Sequence, residues 1–224
     1  MSASSKLQEF TVNKSLLSKC DLYIKHLLDL IFSLILFIIC LPLLLTFAVW
    51  IPLDSKGPIL FIQKRLGKNG KIFNCYKFRT MVQDAETALK RSLENDPVLK
   101  NEWQYNFKLK NDQRITRIGS FLRKTSLDEL PQMLNVIRGE MSLVGPRPRP
   151  LYELAGREND EIFQLGLCLR PGITGLWQVS GRNELDFHHR IWLDAVYVQK
   201  RSLWFDISLL FRTISIVLRQ KGAY

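Results

Sequence analysis

The sequence predicts an α+β fold that is mainly helical: an N-terminal re-entrant membrane helix-break-helix, a small β-hairpin and amphipathic interfacial helices. Three observations carry that class. Residues 30–53 hold no charge and are interrupted by Pro42; residues 54–81 hold two β-prone runs around a turn; the C-terminal part repeats apolar residues at helical spacing. Three regions follow: a tail over 1–24, a membrane segment over 25–53, and a cytosolic, membrane-associated domain over 54–224 with length enough for its own core.

The membrane segment rests on LIFSLILFIICLPLLLTFAVWIPL, which exceeds the roughly 20 apolar residues that cross a bilayer. The run starts late and no small-residue cleavage site follows it, unlike a cleaved signal peptide. Pro42 removes one helical hydrogen bond and its ring collides with the preceding turn, so a kink or break is expected there. Lys6, Lys14, Lys19 and Lys25 precede the run, and Lys56, Lys64, Arg65, Lys68 and Lys71 follow it. Lys/Arg asymmetry orients a spanning helix, and here both flanks are basic. A helix that dips in, breaks at Pro42 and returns satisfies both flanks. A single-pass anchor is the alternative, because spanning helices also tolerate proline.

In the next segment ILFIQ and KIFNCYKF are short β-prone runs, and LGKNG between them supplies the turn. Residues 82–113 are polar and helix-prone, with Asp96-Pro97 as a breaker. Residues 128–138 read as a helix with Leu130, Met133, Leu134 and Ile137 on one face, ended by Arg138-Gly139. Its start is ambiguous. Ser126 and Glu129 have capping-box spacing, but Pro131 would then clash within the helix, and a start nearer Asp128 avoids this.

MSLVGPRPRP reads as a stiff loop, residues 150–165 as a polar helix, and LRPGITGLWQVSGRN as a glycine-punctuated loop. Two amphipathic helices end the chain. In the last, Ile207, Leu210, Phe211, Ile214, Val217 and Leu218 form a stripe that faces either the core or a membrane interface.

A formal net charge of +11 over 224 residues points to anionic partners. No nucleic-acid module and no aromatic-basic interleaving accompany that charge, so no nucleic-acid partner is expected. The four cysteines have neither disulfide-framework nor zinc spacing, which fits a reducing compartment. GxxxxGK[ST] and GxGxxG are absent.

Basic residues instead sit on short stiff elements: Lys77 and Arg79 in YKFRTM, Arg123 and Lys124 before the Asp128-Glu129 pair, Arg147 and Arg149 between prolines, and Arg182 in SGRN. An arginine on rigid backbone binds phosphate bidentately with little entropy lost. Cations converging on two carboxylates suggest phosphoryl transfer, where the protein positions substrate and neutralises oxygens, usually with Mg2+. A carboxylate there can ligate the ion or act as a nucleophile.

The blocks GPILFIQKRLGKNGKIFNCYKFRTM, RITRIGSFLRKTSLDELPQMLNVIRGEMSLVGPRP, RPGITGLWQVSGRN and LDAVYVQKRSLWFDI, in this order from about Lys25 to Tyr224, closely resemble the bacterial sugar transferases, the monotopic polyprenyl-phosphate phosphoglycosyl transferases. The resemblance implies a phosphotransferase that moves hexose-1-phosphate from UDP-hexose to undecaprenyl phosphate, releases UMP and initiates exopolysaccharide or O-antigen synthesis.

By that resemblance Asp128 is the nucleophile and a ligand of Mg2+, and Glu129 the partner carboxylate that takes the acceptor's proton. Lys77, Arg79, Arg123 and Arg147 fall on phosphate-binding positions, and Pro42 on the proline of the membrane-helix break. Many members have serine before that proline, where this chain has Leu41. The larger members' multi-span N-terminal region has no counterpart, which implies a compact form. The GLWQVSGRN block and the VLRQKGAY ending are most similar to members acting on UDP-galactose, with glucose the close competitor. The implied place is the cytoplasmic face of the bacterial inner membrane, among its lipids, with an oligomer left open. A membrane-anchored basic scaffold is the rival from another class.

Overall fold

A computed structural model describes residues 19–106, 109, 112–181 and 185–219. It is mostly helical with a small sheet. In chain order the main elements are helix α1 (Lys19–Asp54), strands β1 (Leu60–Leu66) and β2 (Ile72–Phe78), and helices α2 (Ala85–Asn95), α3 (Pro97–Asn106) and α4 (Arg117–Thr125). A 3-10 turn (Leu127–Gln132) leads into α5 (Met133–Ile137), then β3 (Ser142–Val144), β4 (Arg149–Pro150), α6 (Glu161–Gly166), β5 (Gly172–Thr174), α7 (Leu176–Ser180), α8 (Phe187–Lys200) and α9 (Leu203–Leu218).

Helix α1 is continuous from Lys19 to Asp54 with Pro42 and Pro52 inside it, so the interruption expected at Pro42 does not appear as a gap in the helix. One proline forfeits one backbone hydrogen bond, which a run of this length can absorb. The Pro42 carbonyl in turn accepts a 2.9 Å bond from the Thr46 hydroxyl. Most of the apolar run is exposed, including Ile31, Ile35, Ile38, Ile39, Leu45 and Leu53. It is the one helix among the described residues long and apolar enough to cross a membrane.

The hairpin forms as read. Its turn uses the left-handed conformation at Asn69 (φ 55°) and Gly70 (φ 73°), which an Asn-Gly pair adopts at little strain. The three-stranded sheet has the order β2-β1-β4, and β4 pairs antiparallel to β1 with Leu66 opposite Arg149. A second, parallel pair joins β3 and β5, in register at Ser142↔Gly172 and Val144↔Thr174. The sequence reading treated both of these stretches as loops, because three-residue strands are too short to show a period. Their glycines have a packing reason: a Cβ on Gly172 would lie 2.0 Å from the Gly145 nitrogen. The polar helix expected over 150–165 is shorter: a 3-10 turn at Leu151–Glu153, then turns, then α6.

The chain divides into two compact units. The first comprises 1–39, 62–76 and 132–222. Its largest core cluster joins Val144, Leu165, Leu169, Val179, Ala195, Tyr197, Val198 and Leu209, with α6 packed on α8. In α9 the core side holds Leu209 and Asp206, while Ile207, Phe211, Ile214 and Leu218 are exposed. Of the stripe read from sequence, Leu210 packs against the core and Val217 is half-buried, while the other four residues face away from it.

The second unit comprises 40–61, 77–131 and 223–224. Phe47 and Ile51 of α1 are buried with Phe78 and Leu122, and Ile59, Leu60, Ile118, Leu127 and Leu130 pack around them. Asp54 accepts a 2.9 Å bond from the Ile118 amide. In α2 and α3 the breaker works as expected: Asp96 accepts bonds from the Val98 and Leu99 amides at the start of α3.

Candidate active site

The site is built in the second unit, where β2 ends beside the α4 terminus. Along β2 alternate residues face alternate sides, so Phe78 enters the Phe47–Leu122 core while Lys77 leaves it, and Arg79 follows just past the strand end. Helix α4 starts at Thr116, whose hydroxyl accepts from the Gly119 amide at 3.0 Å. It approaches the strand end closely: a Cβ on Gly119 would lie 2.1 Å from the Thr80 carbonyl oxygen. The Thr116 amide donates to that same carbonyl at 3.1 Å.

At its other end α4 stops at Ser126, which is left-handed (φ 58°), and the 3-10 turn begins with Asp128 and Glu129 in its first turn. Ser126 is therefore a C-cap of α4, and the capping box suggested by its spacing to Glu129 does not form. The reading with the start near Asp128 holds. Pro131 fits there because a 3-10 turn makes fewer demands on its absent N–H than an α-helix interior.

Lys77 Nζ meets Glu129 Oε1 at 2.5 Å, across 52 positions of chain. Arg123 Nε donates to the Thr80 hydroxyl at 2.8 Å and lies within electrostatic range of Asp128. Burial pushes the Asp128 carboxyl up to about 6; Lys77 opposes that shift, the Glu129 charge adds to it, and Arg123 opposes it. Asp112 holds Arg114 by two bonds of 2.7 and 2.5 Å, which anchors the segment leading into α4.

Arg79 has a different surrounding. It is buried, and its guanidinium donates to the carbonyls of Ile51, Ser55 and Lys56 and to the Ser55 hydroxyl, closing the C-terminal end of α1. Gly57 is what admits it: a Cβ there would lie 1.9 Å from Arg79 Nη1, and the backbone is at φ 127°. Arg79 could contact a phosphate only by giving up these bonds.

Arg147 lies in the first unit. Its guanidinium sits 5.3 Å from the Trp177 ring centre and 3.8 Å from Glu153 Oε1, and its amide donates to Asp194 Oδ1 at 3.2 Å. Asp194 also accepts from Arg149 Nη2 at 2.8 Å, both groups being fully buried. Burial pushes Asp194 up to about 6, against the pull of Arg149. Arg182 lies outside the described residues.

Sequence reasoning missed Thr80, Asp112 and Asp194. Asp194 had a visible signal, since it shares the Ile191, Ala195 and Val198 face of α8, where an acid calls for a buried partner. Thr80 and Asp112 had none.

No group of three or more His, Cys, Asp or Glu side chains gathers among the described residues. Two adjacent carboxylates suit the way Mg2+ is held by one or two acids and the phosphates of a substrate, rather than by an all-protein cage. A desolvated carboxylate with a second one beside it is also a place where a cation lowers the energy. Asp128 and Glu129 therefore fit the ion.

A family model described as bacterial sugar transferase matches residues 20–220. The chain is 44% identical over 221 residues to the undecaprenyl-phosphate galactose phosphotransferase of Salmonella typhimurium (strain LT2), covering 99% of this chain and 46% of that one. It is 42% identical over 200 residues to the exopolysaccharide production protein ExoY of Sinorhizobium fredii (strain NBRC 101917 / NGR234), covering 89% and 88%. Identity is 39% over 219 residues with the undecaprenyl-phosphate glucose phosphotransferase of Komagataeibacter xylinus, covering 93% and 38%. The chain thus spans about half the length or less of several relatives it matches.

Proposed function

The chain belongs to the bacterial sugar transferase family, and from that premise we propose that it transfers hexose-1-phosphate, with galactose favoured over glucose, from a UDP-sugar to undecaprenyl phosphate. The observation that carries this reading is the Asp128 carboxylate, pushed up to about 6 beside Lys77, Arg123 and Glu129. A carboxylate with a raised pKa is a stronger base and nucleophile than an exposed one, yet ionised at neutral pH.

An Asp128 oxygen attacks the phosphorus that bears the sugar. The bond from that phosphorus to the UMP oxygen breaks, and UMP leaves with the electron pair. An aspartyl phosphosugar remains. Lys77 and Arg123 offset the charge of the approaching pyrophosphate, and Arg147 is the further candidate for that role. An oxygen of the acceptor phosphate then attacks the same phosphorus, the bond to Asp128 breaks, and the carboxylate is restored. Glu129 takes the acceptor's proton. Asp128, with Glu129 beside it, would hold Mg2+, which would supply charge neutralisation on the phosphate oxygens.

The membrane arrangement we favour is re-entrant. Residues before the apolar run are tied to later elements: Lys25 pairs with Asp206, and Asp29 accepts from Ser142. Residues at its end are likewise tied to later elements, Asp54 to Ile118 and Phe47 to Phe78. Basic residues flank the run on both sides, which supports placing both ends on the cytoplasmic face by the positive-inside rule. The exposed Phe211, Ile214, Leu218 and Trp204 of α9 suit the interface.

The deciding assay incubates the chain with UDP-galactose or UDP-glucose, undecaprenyl phosphate and Mg2+, and identifies the nucleotide released. UMP is expected, together with exchange of labelled UMP into UDP-sugar without any lipid acceptor. Release of UDP instead means that only the sugar moves. Exchange that requires the acceptor rules out the aspartyl intermediate.

A further inference from the structure

The first unit holds a cavity of about 350 Å3 that the reaction does not use. One wall is the start of α1, with Leu22 and Tyr23, and the rest includes His26, Lys68, Arg170 and Arg201.

Its charges do not balance internally. Lys25 lies 2.7 Å from Asp206 and 3.4 Å from Asp29, while the Tyr197 and Ser142 hydroxyls donate to these two acids. That cluster sets one cation against two acids and so carries a net charge of −1, which leaves the cavity with a net charge of +2 once Lys68, Arg170 and Arg201 are added. Among the described residues Lys68, Arg170 and Arg201 form no ion pair. Arg201 Nε and Nη1 are sealed from solvent and reach no acceptor among the described residues, and His26 Nδ1 is sealed in the same way. Three cations without an ion-pair partner among the described residues line the cavity, and an anion there would supply one.

We infer that this cavity holds the phosphate-bearing headgroup of an anionic phospholipid of the bilayer. The cations supply the phosphate contacts. Leu22 and Tyr23 lie on the helix whose following turns expose Leu27, Leu28, Ile31 and Ile35, along which acyl chains would lie. A basic recess beside a membrane helix is the usual form of a lipid headgroup site. A headgroup here would fix the depth of α1 in the bilayer, independently of the chemistry at Asp128.

The test is native mass spectrometry of the full chain in detergent, with phosphatidylglycerol or phosphatidylcholine as probe. Phosphatidylglycerol is expected to be retained and phosphatidylcholine lost, with inorganic phosphate competing weakly. Arg170→Gln/Arg201→Gln should weaken retention by about tenfold or more, while Lys100→Gln, in the other unit, leaves it unchanged. Should the double variant fail to fold, Lys68→Gln keeps the test open, because Lys68 is exposed and its loss should weaken retention about threefold without disturbing the core. Equal retention of the two lipids, or retention indifferent to these substitutions, overturns the proposal. So does displacement of phosphatidylglycerol by equimolar undecaprenyl phosphate through the same residues, which would assign the cavity to the acceptor lipid.

Discussion

Two aspartates in this chain share an electrostatic signature and differ in what surrounds it. Burial pushes both Asp128 and Asp194 up to about 6, and cations oppose the shift at each. Asp194 is sealed, with one oxygen bonded to Arg149 and the other to the Arg147 amide. Its geometry is that of a strut that fixes the proline-rich loop carrying Arg147. Asp128 keeps part of its surface open and stands beside a second carboxylate. A perturbed pKa alone does not separate a structural acid from a reactive one. Access to a substrate does.

The largest expected effect sharpens that contrast. Asp128→Asn should lower UMP release by three orders of magnitude or more, roughly the loss seen when a covalent nucleophile is removed. Its thermal midpoint should hold or rise, since a desolvated charge is gone. Asp194→Asn should do the opposite. Leaving the buried Arg149 without its acid should destabilise by about 3–5 kcal/mol, read in denaturant unfolding, with activity falling only in step with folded protein. If both variants behave alike, the contrast fails.

Next in size are the two basic residues of YKFRTM. Lys77→Met should cost about 100-fold in kcat with little loss of stability, because its partner is the reactive dyad. Arg79→Met should destabilise by about 1–3 kcal/mol through the stranded carbonyls at the end of α1. Kinetics and unfolding curves measured on the same two proteins separate these roles.

A smaller effect is the pH dependence. An acid whose folded pKa lies above its unfolded value stabilises the fold at low pH, and that contribution is lost as pH rises through about 6. The ionised form needed for attack appears over the same interval. Between about pH 4 and 6 activity should therefore rise while the Asp128 contribution to stability falls. Asp128→Asn should remove that contribution and leave the one from Asp194. The smallest expected change is Thr80→Val, which frees Arg123 Nε from its 2.8 Å bond and should cost about threefold to tenfold in kcat/KM.

Much of this was legible in the residues. The Asn-Gly turn specified the hairpin because only a left-handed pair closes those strands. Asp96-Pro97 specified the α2–α3 break, and the Asp128-Glu129 pair with its nearby cations marked the site. Illegible were the three-residue strands β3 and β5, which have no period to read. In α9 the stripe was visible but its direction was not, since the core side is set by Leu209 and by a buried acid, Asp206.

The sequence by itself determined the apolar run, the hairpin, the inventory of carboxylates and cations, and membership of the family, because each is carried by local order along the chain. Tertiary structure alone decided which cation serves which anion. Lys77, near the end of β2, and Arg79, just past it, stand two residues apart, yet one meets Glu129 and the other closes the end of α1. The physical reason is that a side chain's partner is set by what packs beside it across 23 positions of sequence for Arg79 and 52 for Lys77. No local pattern encodes that distance.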